Sequence, residues 1–263
     1  MSREKPVRVV VLRTAGTNCD VETAYAFEKV GAEAERVHVN RLAENRRALD
    51  QFHVLAIPGG FSYGDDIASG KVLANEIRYR MEDEVRRFVA DGKLIIGICN
   101  GFQVLAKAGL LPRLHGDKVE ATLTVNDRAL FEARWVHLRV GESPCVFVRP
   151  GDSLYLPVAH GEGKFIAGKD VLHEIERKKL VVARYVGPDG ESNPGYPWNP
   201  NGSIADIAGI CDPTGRIFGL MPHPERHVEP TQHPRWTREG AKSEGDGVRV
   251  FRNAVDFARR NLA

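Results

Sequence analysis

One cysteine stands between two glycines where an apolar run gives way to a polar one. The residues from 94 to 103 read LIIGICNGFQ, so Cys99 occupies the centre of a GxCxG spacing directly after a strand-like run. This spacing is typical of a nucleophile elbow, a sharp strand-to-helix turn that presents a nucleophile to a pocket. Side chains at Gly97 and Gly101 would obstruct such a turn. The pattern therefore predicts a catalytic Cys99 rather than a core cysteine.

A second polar group follows another strand-like run, Arg216 to Met221, where the sequence continues Pro-His-Pro-Glu. In an extended segment residues i and i+2 project to the same side, and Pro224 favours an extended conformation at His223. Glu225 can then reach the imidazole and fix its tautomer. We therefore predict a catalytic triad in which His223 is the base of Cys99 and Glu225 orients the histidine.

A glycine pair after a third strand-like run, Phe52 to Ile57, supplies the remaining element of acyl-transfer chemistry. The sequence there is PGGFSYG, from residue 58 to residue 64. Acyl transfer requires N–H donors for the tetrahedral oxyanion, and the amides of Gly60 and Asn100 are the candidates. The segment has neither the GK[ST] of a phosphate-binding loop nor the GxGxxG of a dinucleotide fold. A simple tight turn is the alternative interpretation.

Strand-like and helix-like segments alternate in the first 100 residues and predict the scaffold for these groups. The alternation indicates α/β architecture, with a parallel sheet and helices on both faces, and strand ends on one edge are where such sheets place their sites. The predicted strands are 7–12, 34–39, 52–57 and 94–98. The predicted helices are 20–30, a short helix near 41–49 and a long helix that ends at Gly92.

The second half of the chain has a different pattern. Short strand-like runs at 135–140, 145–148 and 180–186 predict an antiparallel sheet appended to the same domain. Residues 187–202 are rich in Pro, Gly and Asn, which predicts a surface loop. An amphipathic helix is expected at 247–261, and we interpret residues 1–263 as a single domain.

Composition excludes several classes of protein. The 37 Lys and Arg against 35 Asp and Glu give a net charge of +2, which offers no electrostatic case for a nucleic-acid or acidic-membrane partner. No apolar run approaches the roughly 18 to 20 residues that span a bilayer. The four cysteines, at 19, 99, 145 and 211, form no CxxC pair and are expected to be free thiols. We expect a cytoplasmic enzyme that neither enters a membrane nor binds nucleic acid.

The motifs PGGFSYGD, GICNGFQ and MPHPER together resemble the class I, triad-type glutamine amidotransferases. The segments AHGEGKF at 159–165, NPNGS at 199–203 and TNCD at 17–20 are similar to the branch of that family that serves de novo purine biosynthesis. The resemblance covers nearly the full length. It implies a flavodoxin-like, mixed and mostly parallel sheet with helices on both faces.

The resemblance also implies the reaction and further site residues. Cys99 would attack the side-chain amide of glutamine to form a γ-glutamyl thioester and release ammonia, in agreement with the triad chemistry. Residues that would bind glutamine, line its pocket or contact the partner are Gly59, Gln103, Asn201, Gly202 and Ser203. His160 is expected to contact the partner or the ammonia exit.

We recognise no ATP-binding motif and predict no metal or other cofactor in this chain. The resemblance implies that ATP and Mg²⁺ are used by a large synthetase subunit, accompanied by a small accessory subunit. Ammonia would pass between the two active sites without entering bulk water.

Two other functions compete with this interpretation. A stand-alone cysteine hydrolase, such as a peptidase or γ-glutamyl hydrolase, would share the elbow but work at full rate without a partner. A non-catalytic regulatory subunit would share the fold, but the intact set of Cys99, His223 and Glu225 argues against it.

Overall fold

The computed structural model describes residues 6–240 and 242–263. The strands are Arg8–Arg13 (β1), Glu33–His38 (β2), Val54–Ile57 (β3), Leu94–Ile98 (β4), Ala121–Thr124 (β5), Glu132–Val140 (β6), Ser153–His160 (β7), Lys164–Ala167 (β8), Val181–Val186 (β9), Ile207–Cys211 (β10) and Ile217–Leu220 (β11). The helices are Asp20–Lys29 (α1), Val39–Glu44 (α2), Lys71–Arg80 (α3), Glu82–Ala90 (α4), Asn100–Lys107 (α5), Lys169–Arg177 (α6), Trp236–Glu239 (α7) and Val248–Asn261 (α8).

A mixed sheet forms the centre of the molecule. Within the described residues its order is β2-β1-β3-β4-β11-β10-β9-β6-β7, and β5 pairs with β8 in a separate two-stranded sheet. The strands from β2 to β11 in that order are parallel. From β11 onward the pairing is antiparallel. The predicted α/β fold with a mixed sheet is therefore confirmed, and the antiparallel strands extend the same sheet.

The middle strands are apolar because both of their faces are covered. Every residue of β3, β4, β10 and β11 is buried, which explains why these strands contain no polar side chain. The flanking helices bury apolar stripes against the sheet and against one another. The ring of Phe27 in α1 packs edge-on against Phe251 in α8, with the centroids 4.9 Å apart. This rigid centre holds the strand ends in place.

Several predicted segments differ from the structure. The short helix predicted near 41–49 lies earlier, because α2 ends at Glu44. The long helix ending at Gly92 is wrong in its continuity, because Met81 leaves helical geometry (φ −129°, ψ 17°) and separates α3 from α4. The strand expected at 145–148 is wrong because that segment is buried without joining a sheet. Its Val146 amide bonds to the carbonyl of Gly215, 3.0 Å away. The apolar residues of segment 145–148 therefore pack in the core without forming a strand.

The segment 187–202 is only partly the predicted surface loop. Its middle is exposed, but Asn199, Pro200 and Asn201 are buried at its end. There Asn199 accepts hydrogen bonds from the amides of Gly202 and Ser203. Polar residues can thus lie inside the fold because their hydrogen bonds are satisfied within it.

The single-domain prediction for residues 1–263 stays a prediction, and residues 1–5 lie outside the described part of the chain. Across the described ranges no helix is both long and apolar enough to cross a membrane.

Candidate active site

Cys99 lies in a strained turn between β4 and α5. Its backbone has φ 51° and ψ −106°, in a region that residues other than glycine rarely occupy. A Cβ on Gly97 would lie 2.5 Å from the carbonyl oxygen of Gly101, and one on Gly101 would lie 1.8 Å from that of Ile57. Both glycines of the GxCxG spacing are therefore required sterically, as the sequence predicted. The turn has the geometry of a nucleophile elbow, and the role of Cys99 as nucleophile stays a prediction.

The neighbouring strand brings the histidine to the same edge of the sheet. β11 runs parallel to β4 with Leu220 opposite Ile98, and the Cys99 amide donates to the Leu220 carbonyl at 2.8 Å. The chain then continues to His223, whose amide bonds to the carbonyl of Pro157 in β7 at 2.8 Å. Adjacent parallel strands thus place the predicted nucleophile and base side by side.

Glu225 meets the imidazole as the i and i+2 spacing predicted. Oε1 of Glu225 lies 2.6 Å from Nδ1 of His223, and both side chains are buried. Nε2 of His223 and Oε2 of Glu225 have no hydrogen-bond partner among the described residues. The carboxylate therefore accepts a hydrogen bond from the protonated Nδ1, and Nε2 remains available to exchange a proton with the nucleophile.

The charges around His223 favour its protonated form. Burial alone would lower the pKa of His223, but the negative charges of Glu225 and of the Cys99 thiolate raise that pKa well above its ordinary value. The arrangement therefore favours a protonated imidazole beside the Cys99 sulfur.

The two predicted oxyanion donors lie on segments that meet at the elbow. Asn100 is the first residue of α5, where amides have no partner within the helix. The Gly60 amide forms no backbone hydrogen bond to the described residues, although the next amide, that of Phe61, donates to Gly16. The side chain of Asn100 joins the two segments, because its Oδ1 accepts from the Ser62 amide at 3.2 Å. The donor roles of Gly60 and Asn100 stay predictions.

Gly59 makes room for the histidine. A Cβ there would lie 2.8 Å from Cε1 of His223 and 3.1 Å from Sγ of Cys19. Its carbonyl accepts from the amides of Asn18 and Cys19. A glycine at position 59 thus allows His223 and Cys19 to pack closely against the backbone. Contact of Gly59 with glutamine stays a prediction.

Both ends of the Gln103 side chain are held by the protein. Oε1 accepts from Asn100 Nδ2 at 2.9 Å, and Nε2 donates to the carbonyl of Glu162 at 2.6 Å. The structure places Gln103 next to the elbow, as expected one helical turn beyond Cys99. In this arrangement it positions neighbouring segments, and its role as a substrate ligand stays a prediction.

The segment Asn201, Gly202 and Ser203 packs behind the HGEG sequence at 160–163. Asn201 is fully buried and donates to the Tyr185 hydroxyl at 3.2 Å, while Ser203 accepts from the Phe165 amide at 3.0 Å. A Cβ on Gly202 would clash with the Asp127 carboxylate. Asn201 and Ser203 are both buried, and contact of this segment with glutamine or with a partner stays a prediction.

His160 is also inside the protein, only 3% exposed, and the expected contact of this residue with a partner stays a prediction. Nε2 of His160 lies 3.5 Å from Asn201 Nδ2, and Nδ1 has no partner among the described residues. Burial, reinforced by the charge of His223, lowers the pKa of His160 to about 3. His160 is therefore a neutral, buried group near the triad, and its relation to an ammonia exit stays a prediction.

Sequence reasoning missed how close Cys19 lies to the triad. Its Sγ is 4.0 Å from Nδ1 of His223 and accepts from Nη2 of Arg226 at 3.0 Å. Burial raises the pKa of the Cys19 thiol. Cys19, His223 and Glu225 could supply three metal ligands, but the adjacent guanidinium of Arg226 would repel a cation. The TNCD motif at 17–20 contains Cys19, but nothing in this motif indicated a contact with His223.

Comparisons with known proteins show the family of this chain. Residues 6–258 match the family described as CobB/CobQ-like glutamine amidotransferase domain. The chain is 52% identical to phosphoribosylformylglycinamidine synthase subunit PurQ of Dehalococcoides mccartyi, covering 97% of this chain and 98% of that protein. It is 43% identical to the protein of the same name from Methanococcus maripaludis, over 95% of this chain and 97% of that one.

Solved structures are similar over comparable lengths. A chain in the structure of PurLQS from Thermotoga maritima is 32% identical, with a TM-score of 0.71, covering 96% of this chain and 99% of that chain. A glutamine amidotransferase from Thermotoga maritima is 15% identical with a TM-score of 0.57, over 98% of this chain and 100% of that chain, which supports the fold alone.

Proposed function

Because the chain belongs to the CobB/CobQ-like glutamine amidotransferase family, we propose that it is the glutamine-hydrolysing subunit of a phosphoribosylformylglycinamidine synthase. It hydrolyses glutamine to glutamate and ammonia. The ammonia serves the ATP-dependent conversion of formylglycinamide ribonucleotide to formylglycinamidine ribonucleotide in de novo purine biosynthesis. The observation that carries the proposal is the buried His223 and Glu225 pair, 2.6 Å apart, beside the Cys99 elbow.

In the first half-reaction the Cys99 thiolate attacks the side-chain amide carbon of glutamine. A carbon–sulfur bond forms, and the amide oxygen becomes an oxyanion that accepts hydrogen bonds from the Gly60 and Asn100 amides. His223 then gives its Nε2 proton to the departing nitrogen, so the carbon–nitrogen bond breaks and ammonia leaves. The product on the enzyme is a γ-glutamyl thioester.

In the second half-reaction water attacks the thioester carbon. Nε2 of His223 accepts a proton from that water, the carbon–sulfur bond breaks, and glutamate leaves while Cys99 regains the thiolate. Throughout both steps Glu225 holds Nδ1 protonated, which keeps the basic nitrogen directed toward the nucleophile. Burial of the histidine and glutamate keeps this orientation fixed.

The likeness to a subunit named as part of a synthase supports an obligatory partner for this chain. We infer that the partner is a large synthetase subunit that binds ATP and Mg²⁺, together with a small accessory subunit. No nucleic acid or membrane is needed for this reaction, and the cytoplasm supplies all the substrates. The glutaminase subunit itself uses no cofactor.

Replacing the nucleophile tests the proposal. We expect Cys99→Ala in the complex reconstituted with the synthetase subunits to abolish glutamine-dependent synthesis. Synthesis from added ammonium salts should persist, because only ammonia release requires the thiol. Cys145→Ala, which alters a buried free cysteine outside the site, is the matched control.

Retention of near wild-type glutamine use by the Cys99→Ala complex would disprove the nucleophile assignment. Full glutaminase activity of the isolated wild-type chain, with no response to a synthetase, would favour the stand-alone hydrolase.

A further inference from the structure

Two segments to which the proposed mechanism gives no role meet beside the catalytic histidine. One is the TNCD segment at 17–20, and the other is Arg226, which directly follows Glu225 in the chain. Nη2 of Arg226 donates to Sγ of Cys19 at 3.0 Å, and this sulfur lies 4.0 Å from Nδ1 of His223. The fold thus brings the guanidinium of Arg226 close to the bond between the histidine and the glutamate of the triad.

The Cys19 thiol separates this guanidinium from the imidazole. Its hydrogen is donated to Oδ1 of Asn18 at 3.1 Å, while its sulfur accepts from Arg226. Burial raises the pKa of the thiol, which favours its neutral form. Because both partners of the thiol are already supplied, Cys19 does not compete with Glu225 for the hydrogen on Nδ1 of His223. Arg226 therefore acts on the triad through its charge and leaves the triad hydrogen bond intact.

Arg226 keeps its positive charge in this half-buried position. Burial alone would lower the pKa of Arg226, but interactions with Cys19, Glu225 and Glu22 raise it. Nε donates to Oε1 of Glu22 at 3.3 Å, which holds the guanidinium against α1. Sγ of Cys19 lies within 4.8 Å of a carboxylate oxygen of Glu225. Across this short, largely buried distance the cation stabilises the negative charge of Glu225.

The charge of Glu225 is balanced differently in the two half-reactions. Before the thioester forms, the protonated His223 lies against the carboxylate. After ammonia has left, His223 is neutral and Cys99 is an uncharged thioester. Glu225 is then a buried anion without an adjacent imidazolium, and its Oε2 has no hydrogen-bond partner among the described residues. An unbalanced buried charge is unfavourable, and the guanidinium of Arg226 remains close to it at this stage.

We propose that Arg226 is a positioning residue for the second half-reaction, and that its charge keeps Glu225 ionised while His223 is neutral. The inference rests on the proposed function and deepens it. With Glu225 ionised, Nδ1 keeps its hydrogen, and Nε2 is free to accept a proton from the attacking water while the hydroxyl of that water joins the thioester carbon.

Loss of the cation would affect one half-reaction more than the other. Without Arg226 the histidine and glutamate pair takes up a proton from solvent, because that proton removes the unbalanced charge. An imidazolium cannot accept a proton from water, so hydrolysis of the thioester slows. Formation of the thioester uses the protonated imidazole and is therefore little affected.

Two substitutions at position 226 separate its charge from its packing. Arg226→Gln removes the charge and keeps an N–H donor, whereas Arg226→Lys keeps the charge. Arg259→Gln is the matched control, because the Arg259 side chain is 38% exposed, against 35% for Arg226, and pairs with Asp256 on α8. Each variant is assembled with the synthetase subunits, and its folding is checked by thermal unfolding.

Three measurements distinguish the half-reactions. Steady-state kinetics give kcat and kcat/KM for glutamine, and kcat/KM covers only the steps up to formation of the thioester. Mass spectrometry after rapid acid quenching gives the fraction of Cys99 present as the γ-glutamyl thioester. The rate of alkylation of Cys99 by a diazo ketone analogue of glutamine reports on the nucleophile without thioester hydrolysis.

We expect Arg226→Gln to lower kcat about tenfold, which corresponds to a shift of about one pH unit in the protonation of the triad pair. KM should fall with kcat, so kcat/KM and the alkylation rate stay near the wild-type values, while the thioester fraction rises. Arg226→Lys should recover most of kcat, and Arg259→Gln should behave as the wild type does.

Wild-type kcat in Arg226→Gln would overturn the proposal. An equal loss of kcat and kcat/KM without accumulation of the thioester would also overturn it, because Arg226 would then only support the fold of the site. A kcat of Arg226→Lys as low as that of Arg226→Gln would exclude a role of the charge. If the wild-type complex formed no γ-glutamyl thioester on Cys99, the proposed function would be the part that fails.

Discussion

Replacing Glu225 by glutamine would preserve the shape of the triad while removing the charge that orients it. The Glu225 side chain is fully buried and accepts from Nδ1 of His223 at 2.6 Å. The amide of a glutamine can donate a hydrogen bond to Nδ1 instead. The imidazole proton then sits on Nε2, so Nε2 can no longer accept a proton from Cys99 or from water.

The structure also sets the size of the effect. Opposite charges with centres roughly 4 Å apart interact by about 4 kcal/mol at an effective dielectric constant of about 20. Removal of the Glu225 charge therefore lowers the pKa of His223 and weakens the protonated form of the imidazole. Since about 1.4 kcal/mol corresponds to a factor of ten, we expect glutamine-dependent turnover to fall by about 1000-fold.

The assay is glutamate release by the reconstituted complex, with ammonium-dependent synthesis as an internal standard that should not change. Glu229→Gln provides a matched control, because its carboxylate contacts Tyr25 and Lys29 at the surface instead of the triad. A loss of less than tenfold in Glu225→Gln would refute the orienting role of this carboxylate.

Further tests address the elbow and its surroundings. Gly101→Ala should destabilise the protein by about 1 to 3 kcal/mol or more, because the added Cβ would lie 1.8 Å from a backbone oxygen, whereas Gly168→Ala, with nothing within 4 Å, should leave thermal unfolding unchanged. Cys99→Ala should lower the pKa of His223, measured by NMR of labelled histidine. The stability that protonated His223 contributes, full below about pH 6.5 and lost as pH rises through its folded pKa, should then be lost at lower pH than in the wild type. A diazo ketone analogue of glutamine should label Cys99 and spare Cys19, whose pKa is raised by burial, as peptide mass spectrometry would reveal.

Local geometry explains which features the sequence could predict. The two glycines around Cys99 and the spacing of His223 and Glu225 encode steric rules that act within a few residues. Each of these features could therefore be predicted from the local sequence, without knowledge of residues far away along the chain. The strand and helix alternation was equally informative, because the apolar runs of β3, β4 and β11 reflect burial on both faces of a sheet.

Features that depend on distant packing were not predictable in this way. The apolar segment at 145–148 resembled a strand, yet it fills the core without a strand partner. Asn201 appeared to belong to a polar surface loop, and only the contact with Tyr185 shows why it is buried. The contact between Cys19 and His223 joins residues far apart in sequence, and no local pattern encodes it.

The position of β11 in the middle of the sheet determines when the active site can form during synthesis and folding. Synthesis on the ribosome completes the Cys99 segment well before His223 emerges, and β11 must then insert between β4 and β10. Until that insertion the thiol has no base beside it. A nascent or truncated chain that ends before residue 217 should therefore be unable to hydrolyse glutamine. The onset of glutamine hydrolysis would show that β11 has inserted between β4 and β10.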